Sequence, residues 1–414
     1  MADAGHTHRA CRVCGASLPA PFLDLGAMPL ANAFPESPAA FAAERAYPLA
    51  VRGCHGCGLV QLDYVVPAEV LYRDYIYVSA TSDAVRRHAE ELAARTVRAY
   101  GWQDGRRVLE IASNDGTVLK AFQKHGVAVL GVEPARNIAA VAVADGVPTV
   151  PEFFTGASAR AIRAEWGPAD GILARHVFAH VDDVHDFLEG AAALLASDGV
   201  LMIEVPYLGD LLDHLEFDTI YHEHLSYVAL APVEELCRQL GLRLVDVEQI
   251  ALHGGSVIFH IAHAGRAGAP SDRVAALREE ERRRRVTDPA TWSAFASGVA
   301  RWRADFVALV EDLVGQGARL VGYGAAAKAN TLLNYCPEVA RALGCILDRS
   351  PHKHHRFTPG THIRVEPVEA LAATAATHML ILAWNFQAEI VRQMSPFAAA
   401  GGRFVIPIPT PRVL

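Results

Sequence analysis

No run in the 414 residues approaches the roughly 18 or more uninterrupted apolar residues a membrane helix needs, so no membrane-spanning segment is expected. Basic residues are in the minority, 38 Lys plus Arg against 46 Asp plus Glu for a formal net charge of -8. A field of that sign repels a nucleic-acid backbone, and no basic stripe with interleaved aromatics offsets it. The opening stretch MADAGHTHRA lacks the apolar core of a secretory signal and does not resemble an amphipathic targeting helix, so a cytoplasmic location is expected. An even cysteine count is missing too. Four of the seven cysteines fall in two tight pairs, which fits a metal site plus three reduced thiols better than a disulfide framework. The full G-x-G-x-x-G fingerprint of a dinucleotide site is also absent.

What is present divides into three parts, as the length suggests at about 100 to 200 residues per domain. The first, residues 1–75, holds CRVCG with Cys11 and Cys14 and CHGCG with Cys54 and Cys57. A two-residue gap lets neighbouring thiolates turn around one tetrahedral ion, with Gly15 and Gly58 easing each knuckle. His55 lies inside the second knuckle, but four thiolates already close the shell, which marks a structural zinc rather than a catalytic one.

The second part, residues 76–246, alternates helix and strand. DAVRRHAEELAARTVRAY reads as an amphipathic helix, and RRVLEIAS, VAVLGVEP, ADGILARHV and GVLMIEVP read as buried strands. Such alternation predicts an α/β domain with a doubly wound, Rossmann-like sheet, whose ligands lie outside the carboxyl ends of the strands. The third part, residues 247–414, is expected to open with the strand GGSVIFHIA, pass through a long helical region and repeat the design in ARLVGYGAAAKANTLLNY, ALGCILDRS and HMLILAWNF: a second Rossmann-like domain. The arginine run 282–285 follows Glu279, Glu280 and Glu281 on the same predicted helix and reads as a solvated face.

The cofactor signals lie in the second part. Glu110 ends the first strand, Ala112, Asn114, Asp115 and Gly116 form the turn after it, and Glu133 and Pro134 end the next strand about twenty residues on. A strand-end carboxylate at that distance suits the two ribose hydroxyls of an adenosine, and the missing pyrophosphate fingerprint favours S-adenosylmethionine over NAD.

The two knuckles, EIASNDGT, FAHV, YLGD, YHEH, LHGGS, GYGAAAKANT, TPGTHI and AWN occur in the order found in zinc-containing sugar C-methyltransferases, and the chain resembles that family over its whole length. The resemblance implies an S-adenosylmethionine-dependent enzyme that methylates carbon in a nucleotide-linked 4-keto-deoxysugar, as on the way to branched sugars such as tetronitrose. C3 is the expected position, dTDP the expected carrier and C5 the alternative. A zinc-ribbon nucleic-acid protein is the competing class, and the acidic balance opposes it. The expected partner is a small-molecule nucleotide sugar, with no nucleic acid, no membrane and a monomeric chain.

Methylating carbon beside a ketone needs a base, a group to hold the enolate oxygen and a methyl donor in line. YHEH carries the proton-transfer parts: His224 is the expected base, Glu223 orients it or bonds a sugar hydroxyl, and Tyr221 donates to the C4 oxygen. If the run is extended, Tyr221 and Glu223 share one side; if it is a turn, that alternation fails. The resemblance adds Tyr75, with Tyr77 as the alternative register, and His180 at the strand edge. Relatives often carry asparagine where this chain has Arg175 and His176, a departure at the same edge. Lys328 is expected to reach a phosphate, with Asn330 beside it, while His253, Gly254 and Gly255 let backbone approach the substrate and Lys353 is a further substrate contact.

Overall fold

The computed structural model describes residues 5–72, 83–103, 105–250, 254–265 and 269–414. Tyr75, Tyr77 and His253 lie outside the described residues. Among the described residues no helix is long and apolar enough to cross a membrane.

Alternation in LDL buries Leu23 and Leu25 on one face of the strand Leu23–Pro29, and a bulge between Asp24 and Ala27, with Gly26 at φ 83°, shifts the register so that Met28 is buried as well. This strand pairs antiparallel with Ala46–Gly53, which pairs with Val60–Leu62. The fourth strand of the sheet is Ser226–Tyr227, the end of the YHEHLSY stretch, with Ser226 opposite Gln61 and Tyr227 opposite Val60. The zinc-binding unit is therefore hydrogen-bonded to the segment that carries the candidate base.

The central sheet has seven strands in the order Leu242–Ile250, Ser256–His263, Leu195–Pro206, Ala169–Arg175, Arg107–Ile111, Ala128–Val132 and Thr149–Val150. All run parallel except Ser256–His263, which is antiparallel to both neighbours. From Arg107–Ile111 the chain first winds toward one edge, then crosses back to Ala169–Arg175 on the other side. The crevice at that reversal is where a doubly wound sheet binds its ligand. The expected division at 246/247 falls inside the strand Leu242–Ile250, and Ser256–His263, expected to open the third part, belongs by its hydrogen bonds to this sheet. Its run SVIFHIAH is buried along nearly its full length, which suits an interior strand of either sheet, so composition alone could not allot it.

The C-terminal sheet is a six-stranded second Rossmann-like layer, ordered Val365–Pro367, Leu343–Asp348, Leu320–Tyr323, His378–Ile381, Arg403–Ile406 and Arg412–Val413. The 27-residue helix Pro289–Gly315 joins it to the rest. Trp292, Trp302 and Phe306 of that helix share one apolar core with Leu23 of the zinc unit and Leu380 of the C-terminal sheet. The indole N–H of Trp302 is satisfied by the carbonyl of Pro407 at 2.8 Å. The arginine run ends the helix Asp272–Arg284 and is paired locally, Arg282 with Glu279, Arg284 with Glu280 and Asp213, and Arg285 with Asp288. That is a solvated helix face, as its charge pattern predicts.

Candidate active site

Behind the site, four sulfurs converge. Cys11 Sγ lies 3.5 Å from Cys57 Sγ and Cys14 Sγ 3.5 Å from Cys54 Sγ, with all four ligand atoms within 4.8 Å of one another. Thiolates about 2.3 Å from a tetrahedral zinc stand about 3.8 Å apart, so the donor set fits zinc and leaves no open position. His55 is exposed with its ring against Trp292, outside this set.

A single cavity of about 870 Å³ opens at the carboxyl edge of the central sheet and continues to the C-terminal domain. At the cofactor end the turn after Arg107–Ile111 takes positive φ at Ala112 (55°), Asn114 (50°) and Gly116 (75°), folding backbone toward the cavity. A Cβ on Gly116 would meet Val147 at 2.8 Å, which accounts for glycine there. Asp115 turns inward and caps Thr117 through both its backbone N–H and its hydroxyl. Glu133 accepts the backbone N–H groups of Asn114 at 2.9 Å and Ala135 at 2.8 Å, which fixes its carboxylate across the turn while leaving lone pairs for ribose hydroxyls. Burial raises the pKa of Glu133, with the two N–H bonds opposing. Glu110 is raised to about 8, first by burial and against the pull of Arg175, and its Oε2 is buried without a hydrogen-bond partner among the described residues. An orphaned polar atom and a carboxylate cradle facing the cavity fit S-adenosylmethionine.

Arg175 and His176, the departure noted at this edge, converge on Glu204 of the neighbouring strand: Arg175 Nε at 3.0 Å, His176 Nε2 at 3.0 Å, with His88 Nε2 at 3.1 Å. Despite burial, these partners hold the Glu204 carboxyl well below its usual range.

In mid-cavity the YHEH stretch is a turn, closed by the His224 N–H bond to the Tyr221 carbonyl at 2.9 Å, so the strand alternation fails. The turn instead brings the Tyr221 ring against that of His224, centroids 4.1 Å apart and planes tilted by 35°. His224 Nδ1 lies 2.8 Å from the Thr219 carbonyl, which can only accept; Nδ1 thus carries the proton and Nε2 the lone pair, 2.8 Å from the Tyr221 hydroxyl. Burial lowers the His224 pKa to about 4. The orienting partner is the Thr219 carbonyl, where Glu223 was expected; Glu223 is buried and accepts from Asn32 Nδ2 at 2.6 Å. His222 points away, its Nε2 between the carbonyls of Tyr47 and Pro48. His180 lines the cavity with its ring centroid 5.0 Å from that of His224, and its Nδ1 meets the Tyr72 hydroxyl at 2.8 Å. Desolvation pushes the His180 pKa well down.

At the far wall Lys328 faces Glu216, Asp218 and Trp384. Its Nζ lies 4.0 Å above the Trp384 ring and is shielded from solvent with no hydrogen-bond partner among the described residues, although the residue as a whole is only partly covered. Asp218 Oδ2 accepts the Trp384 indole N–H at 2.7 Å. Gly254 and Gly255, expected to meet substrate with their backbone, lie off the cavity lining; at φ of 106° and 132° they make room for carboxylates, since a Cβ on Gly254 would meet Glu216 Oε1 at 2.8 Å and one on Gly255 would overlap Asp210. Asn330 is likewise turned away, donating to the Ala31 carbonyl at 2.6 Å and tying the C-terminal domain to the zinc unit. Lys353 remains on the lining and donates to the Ala325 carbonyl at 2.7 Å.

Sequence reasoning passed over Tyr72, Glu204, Glu216 and Asp218. The alternating carboxylates of EFDTIYHEH, so close to the candidate base, were a signal for the last two; Glu204 sits in a run that reads as plain buried strand.

The fold and the paired sites define an S-adenosylmethionine-dependent methyltransferase with a structural zinc. Family models match in the same order: a zinc binding domain over residues 11–72, a methyltransferase domain over 85–247 and a C-methyltransferase C-terminal domain over 251–409. The C-methyltransferase NovU of Streptomyces niveus is 37% identical over 404 residues, covering 98% of this chain and 96% of that one. This chain belongs to the zinc-containing sugar C-methyltransferase family and is an S-adenosylmethionine-dependent C-methyltransferase. A ubiquinone biosynthesis O-methyltransferase of Rhodopseudomonas palustris (strain HaA2) is 29% identical over 127 residues, 30% of this chain and 48% of that one. A solved magnesium protoporphyrin IX methyltransferase (ChlM) from Synechocystis PCC 6803 with bound SAM aligns over 43% of this chain and 79% of that one at 12% identity, with a TM-score of 0.33.

Proposed function

We propose that the chain methylates C3 of a nucleotide-linked 4-keto-deoxysugar, carried on dTDP, by removing the proton beside the ketone and methylating the resulting carbon. The observation that carries this reading is the Tyr221–His224 pair, set in one cavity between the cofactor turn and the wall of the C-terminal domain that carries Lys328 and Lys353. When bound, S-adenosylmethionine supplies a methyl group activated on a positively charged sulfur. Glu133 holds its ribose and Glu110 faces the same end of the cavity.

His224 is the base, and its tautomer is set before substrate arrives. Because Nδ1–H is spent on the Thr219 carbonyl, Nε2 is the atom that accepts a proton. Its low pKa keeps the imidazole neutral throughout the physiological range. Tyr221 transfers its hydroxyl hydrogen bond from Nε2 to the C4 oxygen when the ketone enters, which frees Nε2 for the adjacent C–H. His180 and Tyr72 line the cavity beside this pair, joined by the 2.8 Å contact of the Tyr72 hydroxyl with His180 Nδ1. The diphosphate is set against Lys353 and the helix Ala327–Tyr335, whose first turn has no side-chain cap on its N–H groups.

Incubation with S-adenosylmethionine and a panel of 4-keto nucleotide sugars, followed by mass spectrometry and NMR, tests this reading. One added methyl on C3 is expected. Methylation at C5 would replace C3 as the position, and no methylation of any 4-keto sugar would overturn the substrate class.

A further inference from the structure

We propose that Lys328 is the electrophile of the reaction: its ammonium donates to the ketone oxygen and stabilises the enolate that forms when the neighbouring proton leaves. This inference rests on the keto-sugar reading above.

An ammonium shielded from water needs acceptors for its three N–H groups, and Lys328 has none among the described residues, only the face of Trp384 at 4.0 Å. Burial lowers the Lys328 pKa while Asp218 and Glu216, at a distance, oppose that shift and favour the ammonium; each of the two also keeps one buried oxygen without a hydrogen-bond partner among the described residues. The array does not collapse into a contact pair, in part because Asp218 is held by the Trp384 indole and Glu216 occupies the space left by Gly254. Left open this way, the ammonium is a preorganised donor waiting for an acceptor that arrives with the ligand.

The acceptor is placed by the second observation. Lys328 and His224 line the same cavity, and after burial and His176 the Lys328 charge is a further influence that disfavours a positive charge on the imidazole. A lone cation there would hinder a base that must become an imidazolium. The conflict disappears if a negative charge appears between the two in the same step. That is the course of enolisation: the C–H electron pair becomes the C=C π bond, the carbonyl π pair moves onto oxygen, and the proton passes to His224 Nε2. The new oxyanion then faces the ammonium on one side and the imidazolium on the other. A diphosphate at the first turn of Ala327–Tyr335 meets backbone N–H groups and Lys353, which stands 4.0 Å from the single carboxylate of Asp348, and the Lys328 ammonium, set beside both Glu216 and Asp218, is left for the sugar oxygen. One preorganised donor to a developing oxyanion is worth about a hundredfold to a thousandfold in rate in a water-poor site.

Enzyme, S-adenosylhomocysteine and 4-keto nucleotide sugar in deuterated water separate the cases, with hydrogen exchange beside the ketone followed by NMR. Lys328→Met is expected to slow exchange about a hundredfold to a thousandfold, with affinities for thymidine diphosphate and S-adenosylhomocysteine unchanged in calorimetry. The double variant Glu216→Gln/Lys328→Met removes the cation together with one counter-charge; it is expected to stay folded and to show the same slowing. Exchange at the wild-type rate in either variant overturns the assignment. Lost thymidine diphosphate affinity with exchange intact makes Lys328 a phosphate contact and overturns it as well. Should wild-type enzyme exchange no 4-keto sugar at all, the keto-sugar reading falls and the role of Lys328 falls with it.

Discussion

The hydroxyl of Tyr221 lies 2.8 Å from Nε2 of His224, three residues along a hydrogen-bonded turn. Thr219 holds the other ring nitrogen, so the pair presents one basic atom and one phenolic proton to the same cavity. If His224 takes the proton beside the ketone, His224→Asn should reduce turnover about a hundredfold to ten-thousandfold, the usual share of a positioned general base. Hydrogen exchange in deuterated water with S-adenosylhomocysteine should vanish with it. Tyr221→Phe should retain exchange at a reduced rate, since it removes a donor to the C4 oxygen and leaves Nε2 free. Normal exchange in His224→Asn would move the base to another residue.

The pH dependence follows from burial. His224 ordinarily titrates near 6.5, and desolvation brings it to about 4, so the base is already unprotonated at pH 6. The acidic limb of kcat/KM, which reports the free enzyme, should lie near pH 4 as far as this residue sets it. A limb near 6.5 that disappears in His224→Asn would show that the imidazole is hydrated in the working enzyme.

Stability should run the same way. His180, His222 and His224 are all held neutral by burial, so their folded pKa values lie below the unfolded one. The unfolded chain binds more protons between the two values, so their contribution is complete above about pH 6.5 and is lost as pH falls toward the folded values. For His224 the shift corresponds to roughly 3 kcal/mol once protonation is complete. Urea midpoints at pH 7.5 and pH 5 should differ accordingly, and His224→Asn should reduce the difference while His180 and His222 keep the rest.

Glu133 bridges the N–H groups of Asn114 and Ala135, so it shapes the turn at the cofactor end of the cavity, and the proposed function gives it the ribose. Glu133→Ala should weaken S-adenosylmethionine binding while leaving nucleotide-sugar binding nearly intact. Equal cofactor affinity in calorimetry would refute the assignment.

How far the sequence reveals this site depends on the range of the interaction. The helix Asp83–Tyr100 and the strand Arg107–Ile111 with its turn follow from local period and turn chemistry, and they lie where the pattern puts them. The environment of His224 does not. Its tautomer depends on a carbonyl five residues away, and its burial depends on Leu225, whose N–H bonds the Ala179 carbonyl while its own carbonyl accepts from Leu62. Gly254 and Gly255 were legible as glycines that must be glycine, but their neighbours, Glu216 and Asp210, are apparent only once the chain has folded back. Ser256–His263 shows the same limit in the sheet, for a run buried on both faces carries no mark of which sheet will hold it.

The zinc unit should matter to catalysis although it holds no reacting group. Ser226 and Tyr227 follow His224 after one residue, Leu225, and form the edge strand of the zinc unit's sheet, opposite Gln61 and Val60, only a few residues from the ligands Cys54 and Cys57. The knuckle between them is short, and Cys54 N–H bonds the Leu59 carbonyl immediately before the paired strand. Metal binding is folding energy for such a unit, because the four thiolates repel one another without the ion. Cys54→Ser should therefore lower the yield of folded protein and, in what folds, disorder the 221–227 stretch. Metal analysis should find one zinc per chain in the parent protein and much less in the variant. Chelation of the parent should cost exchange activity in step with zinc loss, with S-adenosylmethionine affinity falling later, because Glu133 and the 112–116 turn are held by the central sheet. Full exchange activity in zinc-free protein would show that the sheet pairing survives without the ion.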